Sequence, residues 1–86
     1  MNNEENRVHT GVVKMHQKIL RHHDDDIRRL AGKKVKFRID NAERTPLGIR
    51  VYVEPICYHT SQPVPIIDSF LHFDDPSIHQ KLLRTL

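Results

Sequence analysis

The spacing of the hydrophobic residues changes once along this chain, and that change limits how the chain can fold. From residue 8 to residue 31 the apolar side chains recur every three or four positions, the period of a helix with one apolar stripe. Its members are Val8, Val12, Met15, Ile19, Leu20, Ile27 and Leu30. The pattern predicts one amphipathic helix over residues 8–31. A second interpretation breaks it at residues 22–26, where an aspartate would cap a second short helix.

After Gly32 the hydrophobic period falls to two. Apolar and charged residues alternate over residues 33–39 and again over residues 49–54. Such alternation is typical of strands with one buried face, and two of them in sequence form an antiparallel hairpin. The connecting segment, residues 40–48, contains Asn41, Pro46 and Gly48 and is predicted to be a loop.

The last third of the chain predicts one more strand and a short helix. Residues 66–73 have apolar side chains on both alternating faces, as in a strand buried on both sides. Asp75 and Pro76 then form a helix start, with Asp75 as N-cap and Pro76 in the first helical position. The apolar side of this helix is assigned to Ile78, Leu82, Leu83 and Leu86.

These segments predict an α+β fold with the order α-β-β-β-α. It has an N-terminal amphipathic helix, an antiparallel sheet of about three strands and a short C-terminal helix. The chain has 86 residues, which is enough for one small domain. We assign residues 8–86 to that domain and expect residues 1–7, rich in Asn and Glu, to form a flexible polar tail.

Composition excludes several classes of protein. No apolar run approaches the roughly 20 residues that span a bilayer, and residues 1–7 carry no apolar signal segment, so no membrane association is expected. Cys57 is the single cysteine, which suits a reducing, cytoplasmic setting. The three glycines lie far apart, unlike a phosphate-binding glycine loop. We expect no cofactor.

Histidines recur seven residues apart on the predicted first helix, at His9, His16 and His23. A heptad repeat stays on one helix face, but one metal ion cannot bridge the rise of about 10 Å between neighbours. No metal is therefore assigned. The residues are interpreted as a packing seam, or as a self-association surface that responds to pH. The predicted homodimer interface comprises Val12, His16, Ile19, His23 and Ile27.

Catalytic chemistry has little support in the sequence. Cys57 and His59 lie two apart on a predicted strand, with no third group to orient the histidine, so Cys57 is expected to be a small buried residue. His22 and Asp26 are helix neighbours, but a run of three aspartates is more typical of a solvated surface. The sequence therefore predicts a non-enzymatic protein.

The outer face of the predicted hairpin combines basic side chains with one aromatic ring. Its members are Lys34, Lys36, Arg38, Arg50 and Tyr52. Residues 31–54 hold six basic and three acidic residues, whereas the whole chain has 14 and 11. Cations can contact phosphates and a tyrosine can stack on a base. The alternative interpretation of these residues is a solvent-exposed sheet edge whose charges prevent aggregation.

Two functional hypotheses follow for a small intracellular regulatory or binding protein. The first is association with nucleic acid, RNA or DNA, through the basic hairpin face. The second is a homo-oligomeric interaction module, an adaptor or inhibitor of a protein partner, that uses the apolar stripe of the first helix. Pairing two copies would cover apolar surface that a chain of this size cannot bury alone.

Overall fold

A computed structural model describes residues 8–85, with side chains through residue 84. The predicted tail, residues 1–7, and Leu86 of the predicted C-terminal helix lie outside these residues. The elements are β1 (Val8–Val13), α1 (Gln17–Leu20), α2 (Asp25–Leu30), β2 (Lys34–Thr45), β3 (Gly48–Pro55), β4 (Val64–Ile67), a 3₁₀ turn (Asp68–Phe70), β5 (Leu71–Phe73) and α3 (Ser77–Thr85). The predicted α-β-β-β-α order is therefore wrong. Within residues 8–85 the fold is α+β and is built on five strands.

The N-terminal helix predicted over residues 8–31 is wrong because its first part is the strand β1. Val8–Val13 is rich in β-branched residues, which pack well in strands and poorly in helices. The buried positions of β1 are His9, Gly11 and Val13. Only Val13 is a large apolar residue, so the alternation that marks a half-buried strand is not visible in the sequence.

Gly11 brings β1 close to its neighbour β5. A side-chain Cβ at this position would lie 3.0 Å from the backbone oxygen of His72 and 3.3 Å from the ring of Phe73. Glycine is therefore required by the close approach of the two strands. Gly11 faces Phe73 in the register of this antiparallel pair.

The rest of the predicted first helix consists of two short helices. The alternative prediction, a break at residues 22–26 followed by a second short helix, is correct in this part. Helix α2 begins at Asp25, after Asp24 in an extended conformation. The Asp24 side chain makes no capping hydrogen bond, however. His16 caps α1, and its Nδ1 accepts a hydrogen bond of 3.2 Å from the Lys18 backbone N–H. Of these two helices, α2 places two buried residues in the core, Ile27 and Leu30, while α1 packs the partly buried Leu20 against it.

The predicted hairpin is present as β2 and β3, but it is longer than expected. A β-bulge between Ile39 and Asn41 shifts the register, and pairing then continues to Thr45 and Gly48. The predicted loop over residues 40–48 is therefore wrong, because most of it is strand. A bulge inserts one residue and so hides the continuation of an alternating pattern.

The third strand predicted over residues 66–73 is two strands on opposite edges of the sheet. The strand order is β4-β3-β2-β1-β5, with β2 in the centre. The segment looked apolar on both faces because it contains parts of two short strands whose buried positions differ. The buried positions are Val64 and Ile66 in β4 and Leu71 and Phe73 in β5. The 3₁₀ turn changes the direction between them.

The connection from β4 to β5 shows that the sheet is strongly curved. Four strand spacings separate these edges, which is about 19 Å in a flat sheet. Ile67 and Leu71 are four residues apart, and four Cα–Cα steps reach at most about 15 Å. The sheet must therefore curl around its buried face. Its other face is convex and open to solvent.

One core lies inside this curved sheet. The buried apolar residues are Val13, Ile27, Leu30, Val35, Phe37, Ile39, Ile49, Val51, Val53, Val64, Ile66, Leu71, Phe73 and Ile78. Helix α2 covers one part of the inner face, in contact with β1 and β4. Helix α3 adds Ile78, while Leu83, which was assigned to its apolar side, is half exposed.

The start of α3 has the capping residue predicted for it. The Asp75 carboxylate accepts hydrogen bonds from the Ser77 backbone N–H at 3.0 Å and from the Ser77 hydroxyl at 2.8 Å. These bonds, first from the Ser77 side chain and then from its backbone, lower the pKa of Asp75. The longest described helix is α3, and no described helix could cross a bilayer.

Candidate nucleic-acid interface

The five residues predicted for nucleic-acid contact lie on one face of the sheet. Arg38 is opposite Glu54, and Asn41 is opposite Tyr52, in the β2–β3 register. Buried positions alternate with exposed or half-buried ones in β2 up to Ile39 and along the whole of β3. This common surface, called here the outer face, includes Lys34, Lys36, Arg38, Arg50 and Tyr52. It is the convex side of the curved sheet.

Three of the four cations on the outer face have a carboxylate partner. Arg50 Nη1 lies 2.9 Å from Glu43 Oε1, and Arg38 Nη1 lies 3.2 Å from Glu54 Oε1. Both are cross-strand pairs of residues directly opposite in the register. Lys34 Nζ lies 3.5 Å from Asp74 Oδ2.

Lys36 differs from these three cations. Within residues 8–84 no carboxylate lies within ion-pair distance of its ammonium group. Lys36 is exposed and in the middle of the outer face, between its strand neighbours Lys34 and Arg38. It is therefore the cation on this face that can meet an incoming anion without first giving up a partner.

Glu43 holds both Arg50 and Tyr52. The Tyr52 hydroxyl donates a hydrogen bond of 2.7 Å to the same Oε1 that pairs with Arg50. These bonds, first from Tyr52 and then from Arg50, hold the pKa of Glu43 below its ordinary 4.5. The contacts with Tyr52 and Glu43 also raise the pKa of Arg50. The Tyr52 ring is half-buried and fixed at its hydroxyl end.

The lowered pKa of Glu43 sets the pH range in which this cluster persists. A depressed carboxyl pKa stabilises the folded state above the ordinary value of 4.5, and that stability is lost as the pH falls through the lowered pKa. Near neutral pH, Glu43 is therefore ionised. Its competition with phosphate for Arg50 does not change between pH 6 and 8.

A second basic and aromatic cluster lies at the end of β3, and the sequence analysis missed it. The Arg29 guanidinium and the Lys33 ammonium each lie 5.9 Å from the centroid of the Tyr58 ring. Next to it is a cleft of about 510 Å³, lined by Arg38, Glu54, Pro55, Ile56, Cys57, Tyr58, His59 and Thr60. Arg38 thus belongs to both the outer face and the cleft. The cluster could not be predicted from the sequence, because Tyr58 is far from Arg29 and Lys33 along the chain.

No family model, curated protein or solved structure matches this chain.

The residues predicted to form a dimer interface are not on one surface. Val12 is in β1 and His16 caps α1. Ile19 is exposed on α1, His23 follows it in a turn, and Ile27 is buried in α2 against the core. The stripe depended on one continuous helix, and the strand β1 together with the break before α2 removes that helix. Dimerisation itself stays a prediction.

The histidine and cysteine environments also differ from the sequence analysis. His9 is buried in β1, with its ring 5.9 Å from that of Phe73, so it does not share a face with His16 or His23. Cys57 is exposed, and the expectation that it is buried is wrong. Among the described residues no three His, Cys, Asp or Glu side chains are grouped closely enough to hold a metal ion.

Proposed function

We propose that this protein is a non-enzymatic binding protein that contacts single-stranded nucleic acid through its outer face. The observation that supports this most is the common placement of Lys34, Lys36, Arg38, Arg50 and Tyr52 on one exposed sheet face. Cations attract the phosphate backbone, and an aromatic ring accepts a stacked base of any identity. Neither kind of contact depends on the identity of the base, so binding without sequence preference is expected for both RNA and DNA.

Binding on this face is an exchange of partners. Lys36 meets a phosphate directly, whereas Arg38 and Arg50 must release Glu54 and Glu43. All four of these side chains are more than two-fifths exposed, and exposed ion pairs contribute little net stability. A phosphate offers each arginine the same bidentate geometry as a carboxylate. The exchange therefore costs little, but it keeps the affinity moderate.

The shape of the face favours a single strand over a duplex. The outer face is convex, because the sheet curls away from it around the core. A duplex resists bending, with a persistence length of about 150 base pairs, while a single strand follows a convex surface at little cost. Only an unpaired strand can present an unstacked base to the Tyr52 ring.

The proposal places the protein in the cytoplasm. Cys57 is the only cysteine of the chain, and in the structure its thiol is free and exposed. An exposed thiol stays reduced in the cytoplasm, where thioredoxin and glutathione act on it. A regulatory role, exerted by occupying the nucleic-acid strand, is part of the same proposal.

The salt dependence of binding tests this function. The probe is a fluorescein-labelled 12-nucleotide strand of mixed sequence, as DNA and as RNA, measured by anisotropy from 50 to 300 mM NaCl at pH 7. Each phosphate contact on a single strand gives a slope of about −0.7 in log K against log salt. One phosphate contact on the outer face therefore predicts a slope of about −0.7, and contacts by all four cations predict a slope of about −3. Absence of binding at 50 mM, or an affinity that ignores salt, would overturn the proposal.

A further inference from the structure

The cleft at the end of β3 continues the outer face toward a second group of cations. Arg38 is on the outer face and also lines the cleft. Beyond it are Tyr58 in the cleft wall and the cations Arg29 and Lys33 beside the Tyr58 ring. The three segments that meet here are α2, the turn before β2 and the chain after β3.

The two cations beside Tyr58 have their charges uncompensated by the residues around them. Within residues 8–84, no carboxylate lies within ion-pair distance of Arg29 or Lys33, and both side chains are exposed. Each lies 5.9 Å from the same ring centroid, so they are at most about 12 Å apart. An anion that approaches this ring therefore meets two cations that are not engaged in an ion pair with a described residue.

The cleft itself is large enough for a nucleotide. Its volume of about 510 Å³ lies within the usual range of small-molecule sites, roughly 300–1,000 Å³. The Tyr58 ring packs against the core and forms part of the cleft wall, so a base held in the cleft contacts a fixed ring. Thr60, also in the lining, has a buried hydroxyl oxygen without a hydrogen-bond partner among the described residues.

We propose that this cleft binds a phosphate group and the base attached to it, and that both belong to the strand held by the outer face. Arg29 and Lys33 contact the phosphate, while Tyr58 contacts the base. This inference rests on the proposed function, and it extends the binding path past Arg38. The same chemistry would also accept a free nucleotide or inorganic phosphate, and the test separates these sources.

The test combines two variants with the same change in net charge. Arg29→Gln/Lys33→Gln removes the two cations beside Tyr58, and Lys18→Gln/Arg21→Gln removes two exposed cations of the α1 region. All four side chains are exposed, so both proteins are expected to fold. The loss of two phosphate contacts predicts a slope less steep by about 1.4 and, at 100 mM NaCl, roughly a 25-fold weaker affinity for the 12-nucleotide strand. The control variant keeps the wild-type slope.

Amide chemical shifts of the ¹⁵N-labelled protein then locate the contacts. The 12-nucleotide strand is expected to shift the amides of residues 56–60 together with those of 34–38 and 50–54. Shifts at 34–38 and 50–54 alone would overturn the cleft inference and leave the proposed function standing. Shifts at 56–60 alone would overturn the outer face and with it the proposal that one strand occupies both places, and no shifts at either place would overturn both.

Two further titrations identify the source of the phosphate. Adenosine monophosphate and inorganic phosphate are each added to the wild-type protein and to Arg29→Gln/Lys33→Gln. The inference predicts that the strand binds at least tenfold more tightly than either small ligand, because the outer face adds contacts that they lack. Equal affinity for the strand and for the mononucleotide would overturn the assignment of this site to the strand.

Discussion

Ile27→Asp is expected to unfold the domain, whereas Ile19→Asp is expected to leave it folded with an unchanged solution mass. Ile27 is 4% exposed and packs in the core, while Ile19 is 42% exposed on the four-residue α1. Burying an unpaired carboxylate costs more than about 4 kcal/mol, which is comparable to the whole stability of a domain of this size. A surface substitution usually changes stability by no more than about 0.5 kcal/mol.

Circular dichroism during thermal unfolding and sedimentation equilibrium measure these two results. The pair of variants is matched in chemistry, since both place aspartate at an isoleucine of the predicted first helix. One continuous helix would put both side chains on a shared apolar stripe, and the two variants would then behave alike. Unfolding of Ile19→Asp, or a change in its mass, would contradict the structure described for residues 8–31.

Lys36→Glu/Arg38→Glu is expected to abolish binding to the 12-nucleotide strand at 100 mM NaCl. The change removes two phosphate contacts, which alone weakens single-strand binding by roughly 25-fold at this salt concentration, and adds repulsion from two new carboxylates. The effect is expected to be the largest of any exposed double substitution in this chain, because Lys36 is central and Arg38 joins the outer face to the cleft.

Two controls separate this loss of binding from loss of structure. Lys18→Glu/Arg21→Glu makes the same change in net charge on the α1 region and is expected to bind within about threefold of wild type, since it removes no phosphate contact. Glu at position 38 would face Glu54 across the strands, which destabilises the pair. The variant Lys36→Glu/Arg38→Gln avoids that contact. If a folded form of this second variant bound the strand as wild type does, the outer face would not be the interface.

The hairpin was predictable from the sequence because its inner positions are large and apolar. Val35, Phe37 and Ile39 in β2 alternate with charged residues, so the pattern is unambiguous. Strand β1 was not, because its inner positions include His9 and Gly11, while Val8 and Val12 point outward and imitate a helical spacing. Which residues are apolar is visible in a sequence, but which face they occupy depends on neighbouring strands.

The candidate interface was predictable to the same extent. Alternation placed Lys36, Arg38 and Tyr52 on a common face, and the register places them there. Their partners were not predictable, since the Glu43–Arg50 and Glu54–Arg38 pairs depend on a register that includes a bulge. The Tyr58 cluster required the chain after β3 to fold back to α2, a contact between distant parts of the sequence.

The outer face is tested most directly by removing the carboxylates that compete with phosphate. Glu43→Gln/Glu54→Gln releases Arg50 and Arg38 from their partners, keeps the side-chain size and adds two units of positive charge to the face. The control Gln17→Lys/Gln80→Lys makes the same change in net charge at two exposed residues of α1 and α3. The measurement is the affinity for the 12-nucleotide strand at 100 mM NaCl and pH 7, with the thermal midpoint of each variant recorded.

The outer-face variant is expected to bind about three- to tenfold more tightly than wild type and with a steeper salt slope, because Arg38 and Arg50 meet phosphate without an exchange. The control is expected to change the affinity by less than about twofold, since it releases no arginine of the outer face from a carboxylate and salt screens exposed charges with a Debye length of roughly 10 Å. Unfolding cannot produce a gain in affinity. An unchanged or weaker affinity of a folded Glu43→Gln/Glu54→Gln protein would contradict the account of the outer face as a phosphate-binding surface.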